Sequence, residues 1–325
     1  MLSLRSCPVL ASSPSLFSRL AAGLRGMASP APPSWAQPTH FSADRWWARP
    51  GSAPAVAVVT GGNQGIGLQT CRQLAAQGVT VVLCSRDAAR GEAAAKAVAE
   101  EWPSSVVRFC QLDLTKCESV DAAASWLAST FPGGVDILVN NAGLAFKGNT
   151  FDAPSARQTL ATNLDGTAAV TGALLPLLRR KATSSGAGAR IVNVCSMAGK
   201  RRIVGPALRA RFDAAASLEE VQALAREFVT AIERGDDLSA LGWPRSMYGV
   251  SKLCEATYTR ILAAQTADDG LIVSACCPGW CQTNMSSGSG PRTATQGADV
   301  LVWLALAPPG HSTGRFWSDR REEDF

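Results

Sequence analysis

The chain has 325 residues, 46% apolar and 18% charged, enough for one large α/β domain or two small ones with a real core. Its net charge is +5, yet three arginines and no acid fall in residues 1–43, leaving 28 basic against 26 acidic side chains in the rest. That balance argues against a nucleic-acid partner or a membrane-surface role, and no segment approaches the ~18 apolar residues of a membrane span.

Residues 1–43 differ in character from the rest of the chain. They are rich in Ser, Ala, Leu and Arg and end in a Pro-rich linker, and Leu16, Phe17, Leu20 and Leu24 fall at helical spacing near Arg19 and Arg25. This is the composition of an organelle transit peptide, with mitochondrion and chloroplast not separated. The alternative is a disordered tail, with translation from Met27 leaving a cytoplasmic protein.

Beyond the linker, short apolar runs alternate with helical patterns. Strands are expected at Ala55–Thr60, Thr80–Cys84, Val106–Gln111, Asp136–Asn140, Arg190–Cys195, Leu271–Cys276 and Arg315–Ser318. Most are rich in Val, Ile and Leu without polar alternation, as strands buried on both faces of a parallel sheet are. Helices are expected at Gly65–Gln77, Ala88–Glu101, Cys117–Ser129, Ala161–Arg180 and Ser246–Ala267, with Thr115 and Glu118 forming a capping box for the third. The alternation predicts a Rossmann-type, doubly wound α/β fold of about seven strands, one domain over residues 54–325.

One segment, 200–243, interrupts the series. Leu218, Val221, Leu224, Ala225, Phe228, Val229 and Ile232 form one helical stripe, started by Ser217 and Glu220 and ended by Gly235. No βαβ unit needs a helix there, so it is read as an insertion.

Between the first strand and first helix, Gly61, Gly65 and Gly67 crowd one turn. Such a turn aims backbone N–H groups and a positive helix end at a pyrophosphate, although many tight strand-to-helix turns use glycine structurally. Ten cysteines show no Cys-x-x-Cys pair, and the histidines number two, so a metal site is not expected. Cys71, Cys84, Cys110, Cys195 and Cys276 sit in or beside apolar runs, as reduced core residues do. Cys277 lies nearer the expected pocket, but nothing close in sequence explains a reactive thiol.

Thr-Gly-x-x-x-Gly-x-Gly, "NNAG" at Asn140–Gly143, Ser196 closing "IVNVCS", Tyr248 and Lys252 in "YGVSK", and "CCPGWCQTNM" after the sixth strand stand in order on the expected elements. Over residues 54–325 the chain resembles the short-chain dehydrogenase/reductases. "GGNQGIG", "CCPGW" and the C-terminal "GRFWSDRREEDF" are most similar to its monomeric carbonyl reductases, a subgroup that includes those of animals and the menthone and salutaridine reductases of plants. Ser196 and Tyr248 are 52 positions apart, where most of that family has a much shorter connection. The inserted helix agrees with the subgroup.

The resemblance implies roles. Tyr248 would protonate the carbonyl oxygen while Ser196 hydrogen-bonds it. Lys252, one helical turn on, would favour the phenolate and hold the nicotinamide ribose, and Asn163 would support the lysine through a water relay. The cofactor would lie along Gly61, Asn63, Gln64, Gly65, Ile66 and Gly67. Asp113 and Leu114 would meet the adenine. Asn141, Ala142 and Gly143 after the fourth strand, and Pro278 and Gly279 with Thr283 after the sixth, complete its site. "LCSRD" has no acid at the end of the second strand and then Arg86, which suits a 2′-phosphate and hence NADPH/NADP, with Asp87 capping the next helix. The subgroup's usual second charge is missing, since its lysine position is Gln64.

Trp280 is expected to wall an apolar substrate pocket. Five basic residues between Lys200 and Arg211 read as a solvated rim rather than an acidic-ligand site. The expected activity is NADPH-dependent reduction of a ketone, aldehyde or quinone, a small-molecule carbonyl substrate, by a monomer. The alternatives are an NADP-dependent secondary-alcohol dehydrogenase working oxidatively and a non-catalytic NADPH-sensing protein. The intact Asn–Ser–Tyr–Lys set argues against the last, because a sensor does not need a proton donor.

Overall fold

The computed structural model describes residues 45–49 and 51–324, all in the unit Pro38–Phe325. The transit-peptide expectation lies outside them. Strands β1 (Val56–Val59), β2 (Thr80–Ser85), β4 (Ile137–Asn140), β5 (Ala189–Val194) and β6 (Leu271–Cys277) are buried at every position. Their unbroken apolar runs are what a sheet covered on both faces requires. β3 (Val107–Gln111) is more exposed because it ends the sheet. The order is β3-β2-β1-β4-β5-β6-β7-β8, with β7 at Arg315–Ser318 and β8 at Arg321–Glu323. All pairs are parallel except β7–β8, where Phe316 faces Glu323.

The sheet therefore has eight strands, one more than expected. β8 is three charged residues, and its hairpin is turned by Asp319 and Arg320, both at positive φ (51° and 60°). Without a glycine in the turn or an apolar residue in the strand, neither usual signal was present.

Helices α1 (Gly65–Ala76), α2 (Ala88–Glu101), α3 (Cys117–Thr130) and α8 (Met247–Gln265) lie where periodicity places them, to within about two residues at their ends, while α5 (Thr167–Ser185) starts and ends about five to six residues later than expected. Asp87 caps α2 by accepting from the Arg90 amide. The capping box on α3 is not formed: Thr115 donates to Asp113 at 2.7 Å, and Lys116 takes the cap position without a side-chain bond. The expected helix over Ala161–Arg180 begins instead as a π turn, Ala161–Gly166, running on from α4 (Ala153–Leu160). α4, α6 (Pro206–Ala214) and α9 (Ala294–Ala305) were not expected; the first two span eight and nine residues, too short for a clear apolar stripe.

The insertion folds back on the domain. α7 (Leu218–Arg234) carries the expected capping box and ends at Gly235 in the left-handed region. Val221, Leu224 and Phe228 are buried in the core cluster that includes Val250, Leu253 and Ile261 of α8, while Leu218 and Ile232 pack at its margin. Trp243 lies 5.3 Å from Phe228 and 6.1 Å from Phe212 of α6, ring centre to ring centre. Packed structure also starts before residue 54: Trp46 Nε1 donates to the Ala307 carbonyl, and the buried Arg190 guanidinium stacks 3.7 Å from its ring. Among the described residues no helix is long and apolar enough to cross a membrane.

Candidate active site

Strand order reverses between β1 and β4, so the loops after these two strands diverge and leave a crevice at their C-terminal ends. The Gly-rich turn and the "NNAG" segment meet there. Thr60 Oγ1 accepts from the amides of Asn141 and Ala142, and Asn141 Nδ2 donates to the carbonyl of Thr60 at 2.9 Å. α1 starts at Gly65 (φ +55°) with no side-chain cap on its amides. Those N–H groups and the helix dipole favour an anion.

The glycines answer partly to the protein's own packing. A Cβ on Gly67 would come within 2.4 Å of both Asn141 Nδ2 and the Gly61 carbonyl, and one on Gly62 within 2.8 Å of Leu83. Gly65 faces Thr283, whose methyl would be 3.3 Å from an added Cβ. Gln64 accepts from Asn284 at 2.9 Å, joining the Gly-rich turn to the loop after β6.

The four residues expected to carry chemistry converge at the end of β5. Ser196, extended at φ −155°, follows the strand and accepts from the Ala198 amide. The Ser196 side chain stands close enough to the Tyr248 phenol to favour its ionised form. One turn along α8, Lys252 Nζ lies 5.9 Å from the Tyr248 ring centre and donates to the Val194 carbonyl at 2.6 Å. Asn163 is fully buried in the π turn, a rare geometry that recurs at functional sites. Its Oδ1 accepts from the Leu144 amide at 2.7 Å, and its Nδ2 donates to the Leu144 carbonyl and to Ser251 Oγ, both at 2.9 Å. Ser251 in turn donates to the Tyr248 carbonyl. The Asn163 side chain thus ties the loop after β4 to α8. Gly143 keeps that loop close: a Cβ there would be 3.4 Å from Asn163 Oδ1 and 3.6 Å from Lys252 Nζ.

Two side chains here escaped the sequence reading. Ser251 lies inside the Tyr-x-x-x-Lys spacing but is silent without the tertiary contact to Asn163. Glu255, three residues past Lys252, is fully buried and accepts from Nζ at 2.6 Å. Burial alone would lower the Lys252 pKa, but Glu255 reverses this and holds the ammonium above its usual range. Burial pushes the Tyr248 phenol up, Lys252 pulls it back, Glu255 raises it again, and Ser196 lowers it.

At the outer edge of the sheet, a cavity of about 520 Å³ is lined by Arg86, Asp113, Lys116 and Trp126, among others. Lys116 is a second cation there, beside the expected Arg86. Leu114 packs under the π turn, where a Cβ on Gly166 would meet it at 2.8 Å. Trp280 is 64% exposed on the loop after β6. Cys277 is buried, its sulfur accepting from the Gly279 amide. The basic run is largely paired: Lys200, itself buried, with Glu323, Arg201 with Asp213, and Arg211 with Glu227.

A doubly wound α/β sheet with a Gly-rich first turn and a Ser–Tyr–Lys cluster at the C-terminal end of β5 defines the class. Residues 55–208 match the short chain dehydrogenase family model. The chain is 38% identical to carbonyl reductase (NADPH) 1 of Pongo abelii, over 83% of this chain and 98% of that protein. It is 39% identical to carbonyl reductase (NADPH) 3 of Rattus norvegicus, over 79% and 93%. Among solved structures, salutaridine reductase of Papaver somniferum matches with a TM-score of 0.73 at 29% identity, covering 81% of this chain and 99% of that one. Menthone neomenthol reductase of Mentha piperita matches at 0.69 and 29%, covering 82% and 98%. The chain belongs to the short-chain dehydrogenase family.

Proposed function

We propose that this protein reduces the carbonyl group of a small ketone, aldehyde or quinone, using NADPH. The observation that carries the reading is the convergence, at the end of β5, of the Tyr248 hydroxyl, the Ser196 side chain that favours its ionised form and the Lys252 ammonium 5.9 Å from the Tyr248 ring centre. The residues present suit the cofactor. The uncapped amides at the start of α1 face where a pyrophosphate would sit, Arg86 and Lys116 supply cations at the adenosine end, and Thr283 stands across from Gly65.

NADPH, when bound, supplies the hydride. Ser196 donates a hydrogen bond to the substrate oxygen and so orients the carbonyl. Tyr248 gives that oxygen its proton as negative charge develops there. Lys252 stabilises the phenolate left behind, and Asn163, through Leu144 and Ser251, fixes the walls around it. Exposed Trp280 offers an apolar wall, which favours a substrate with a hydrophobic body. We infer a monomer, because α7 covers the face of α8 within the subunit, and an organelle interior, from the acid-free, Arg-bearing composition of residues 1–43.

The test is NADPH consumption across a panel of aliphatic and aromatic ketones, aldehydes and quinones. Turnover with at least one class, far above that with NADH, is expected. Tight NADPH binding with no turnover of any carbonyl would overturn the reading.

A further inference from the structure

Glu255 stands where α8 is otherwise core. It is fully buried between the helix and the sheet, with Oε2 bound to Lys252 and Oε1 without a hydrogen-bond partner among the described residues. A buried carboxylate with half its acceptors unsatisfied is strongly disfavoured, and an apolar residue would fill the same space without that penalty. The groups facing it are few. Lys252, Tyr248 and Cys254 share its helix, while Cys195 lies just past β5 and Cys276 lies in β6. Burial pushes the three thiols up, so they stay neutral. Glu255 therefore acts mainly on the lysine and, past it, on the tyrosine.

We propose that Glu255 is a positioning residue for the reduction: it anchors the Lys252 ammonium three residues beyond the lysine and offsets its charge at Tyr248, keeping the phenol protonated and ready to donate. This rests on the protein being a carbonyl reductase. Lys252 meets two opposed demands. Its charge must be present to stabilise the phenolate formed in the transition state, yet an unopposed ammonium would ionise the phenol beforehand. A carboxylate on the far side of the lysine in sequence moderates the second effect and fixes the ammonium through a bond that complements the one to Val194.

Glu255→Gln keeps size and an acceptor oxygen but removes the charge. The alkaline limb of carbonyl reduction, where Tyr248 loses its proton, should move about 0.5–1 pH unit toward acid. Glu255→Asp keeps the charge and should hold the limb near that of the parent. If the Gln variant does not fold, Glu255→Thr carries the same test, since its hydroxyl can bond the carbonyl four residues back as Thr257 and Thr259 do. A readout independent of turnover is at hand, because the chain has only two tyrosines, Tyr248 and Tyr258. With tyrosine labelled with 13C at the ζ carbon, NMR titration follows each phenol, and burial holds Tyr258 up at about 12. The Tyr248 resonance should titrate at lower pH in the neutral variants than in the parent. An unmoved Tyr248 titration would overturn the proposal whether or not the protein reduces carbonyls. A moved titration in a protein that turns over no carbonyl would overturn only the reductase reading.

Discussion

Gly67 and Asn141 interlock across the crevice, the amide of Asn141 occupying the space a Gly67 Cβ would need. Asn141 Nδ2 reaches through to the carbonyls of Thr60 and Gly61, adding to the bonds by which Thr60 Oγ1 holds the loops after β1 and β4 together. Gly67→Ala should destabilise the fold by about 1–3 kcal/mol through overpacking, because the carbonyl it meets belongs to the backbone. Chemical denaturation would report it, with NADPH affinity falling in parallel. Unchanged stability would show that the two loops can separate freely.

Tyr248→Phe removes the hydroxyl and keeps the ring. Turnover should fall on the order of 10²-fold or more while NADPH binding persists. Near-normal turnover with cofactor bound would exclude Tyr248 as the proton donor.

Arg86→Ala should weaken NADPH binding by about 1.5–3 kcal/mol, as loss of a charge-assisted bond does, with NADH little affected. Lys116→Ala should act the same way but more weakly, as a point charge rather than a bidentate fork. Gln64→Lys should tighten NADPH selectively. Fluorescence titration with both cofactors reads all three variants, and equal losses for NADPH and NADH would remove Arg86 from the 2′-phosphate site.

Phe228 packs against Trp243 of the insertion and against Phe151, which lies just before α4. Phe228→Ala should cost about 3–5 kcal/mol. Light scattering of the parent protein at micromolar concentration should report one subunit, since the stripe of α7 is spent on its own domain. A stable dimer or tetramer would show that another face is used for association.

The Glu255 carboxyl is pushed by burial up to about 7, against the pull of Lys252. An unfolded glutamate titrates near ~4.3, so between these values the folded chain holds the extra proton and stability falls as pH rises. Urea unfolding at about pH 5 and about pH 7.5 should show the parent losing, relative to Glu255→Gln, on the order of one to a few kcal/mol across that window. A difference independent of pH would mean that Lys252 keeps Glu255 ionised throughout.

Short apolar runs located the parallel strands and periodicity the major helices, because a strand buried on both faces and a helix with one apolar face each leave a pattern along the chain. The insertion was legible for the same reason: Val221, Leu224 and Phe228 recur on one stripe, with Ser217 and Gly235 at its ends. Asn163, Ser196, Tyr248 and Lys252 could be named because their spacing and the elements they sit on are local properties. Pairing across the fold was not legible. Asn141 filling the space beside Gly67, Ser251 joining Asn163 to α8, Lys116 arriving beside Arg86, and the charged hairpin that closes the sheet at β8 all depend on elements far apart in the chain. Glu255 shows the limit most clearly. In sequence it is one more acid near a lysine, of the kind that usually lies on a solvated helix face. Only the packing of α8 between α7 and the sheet removes water from that face, and a carboxylate without water must act on whatever charge lies within reach.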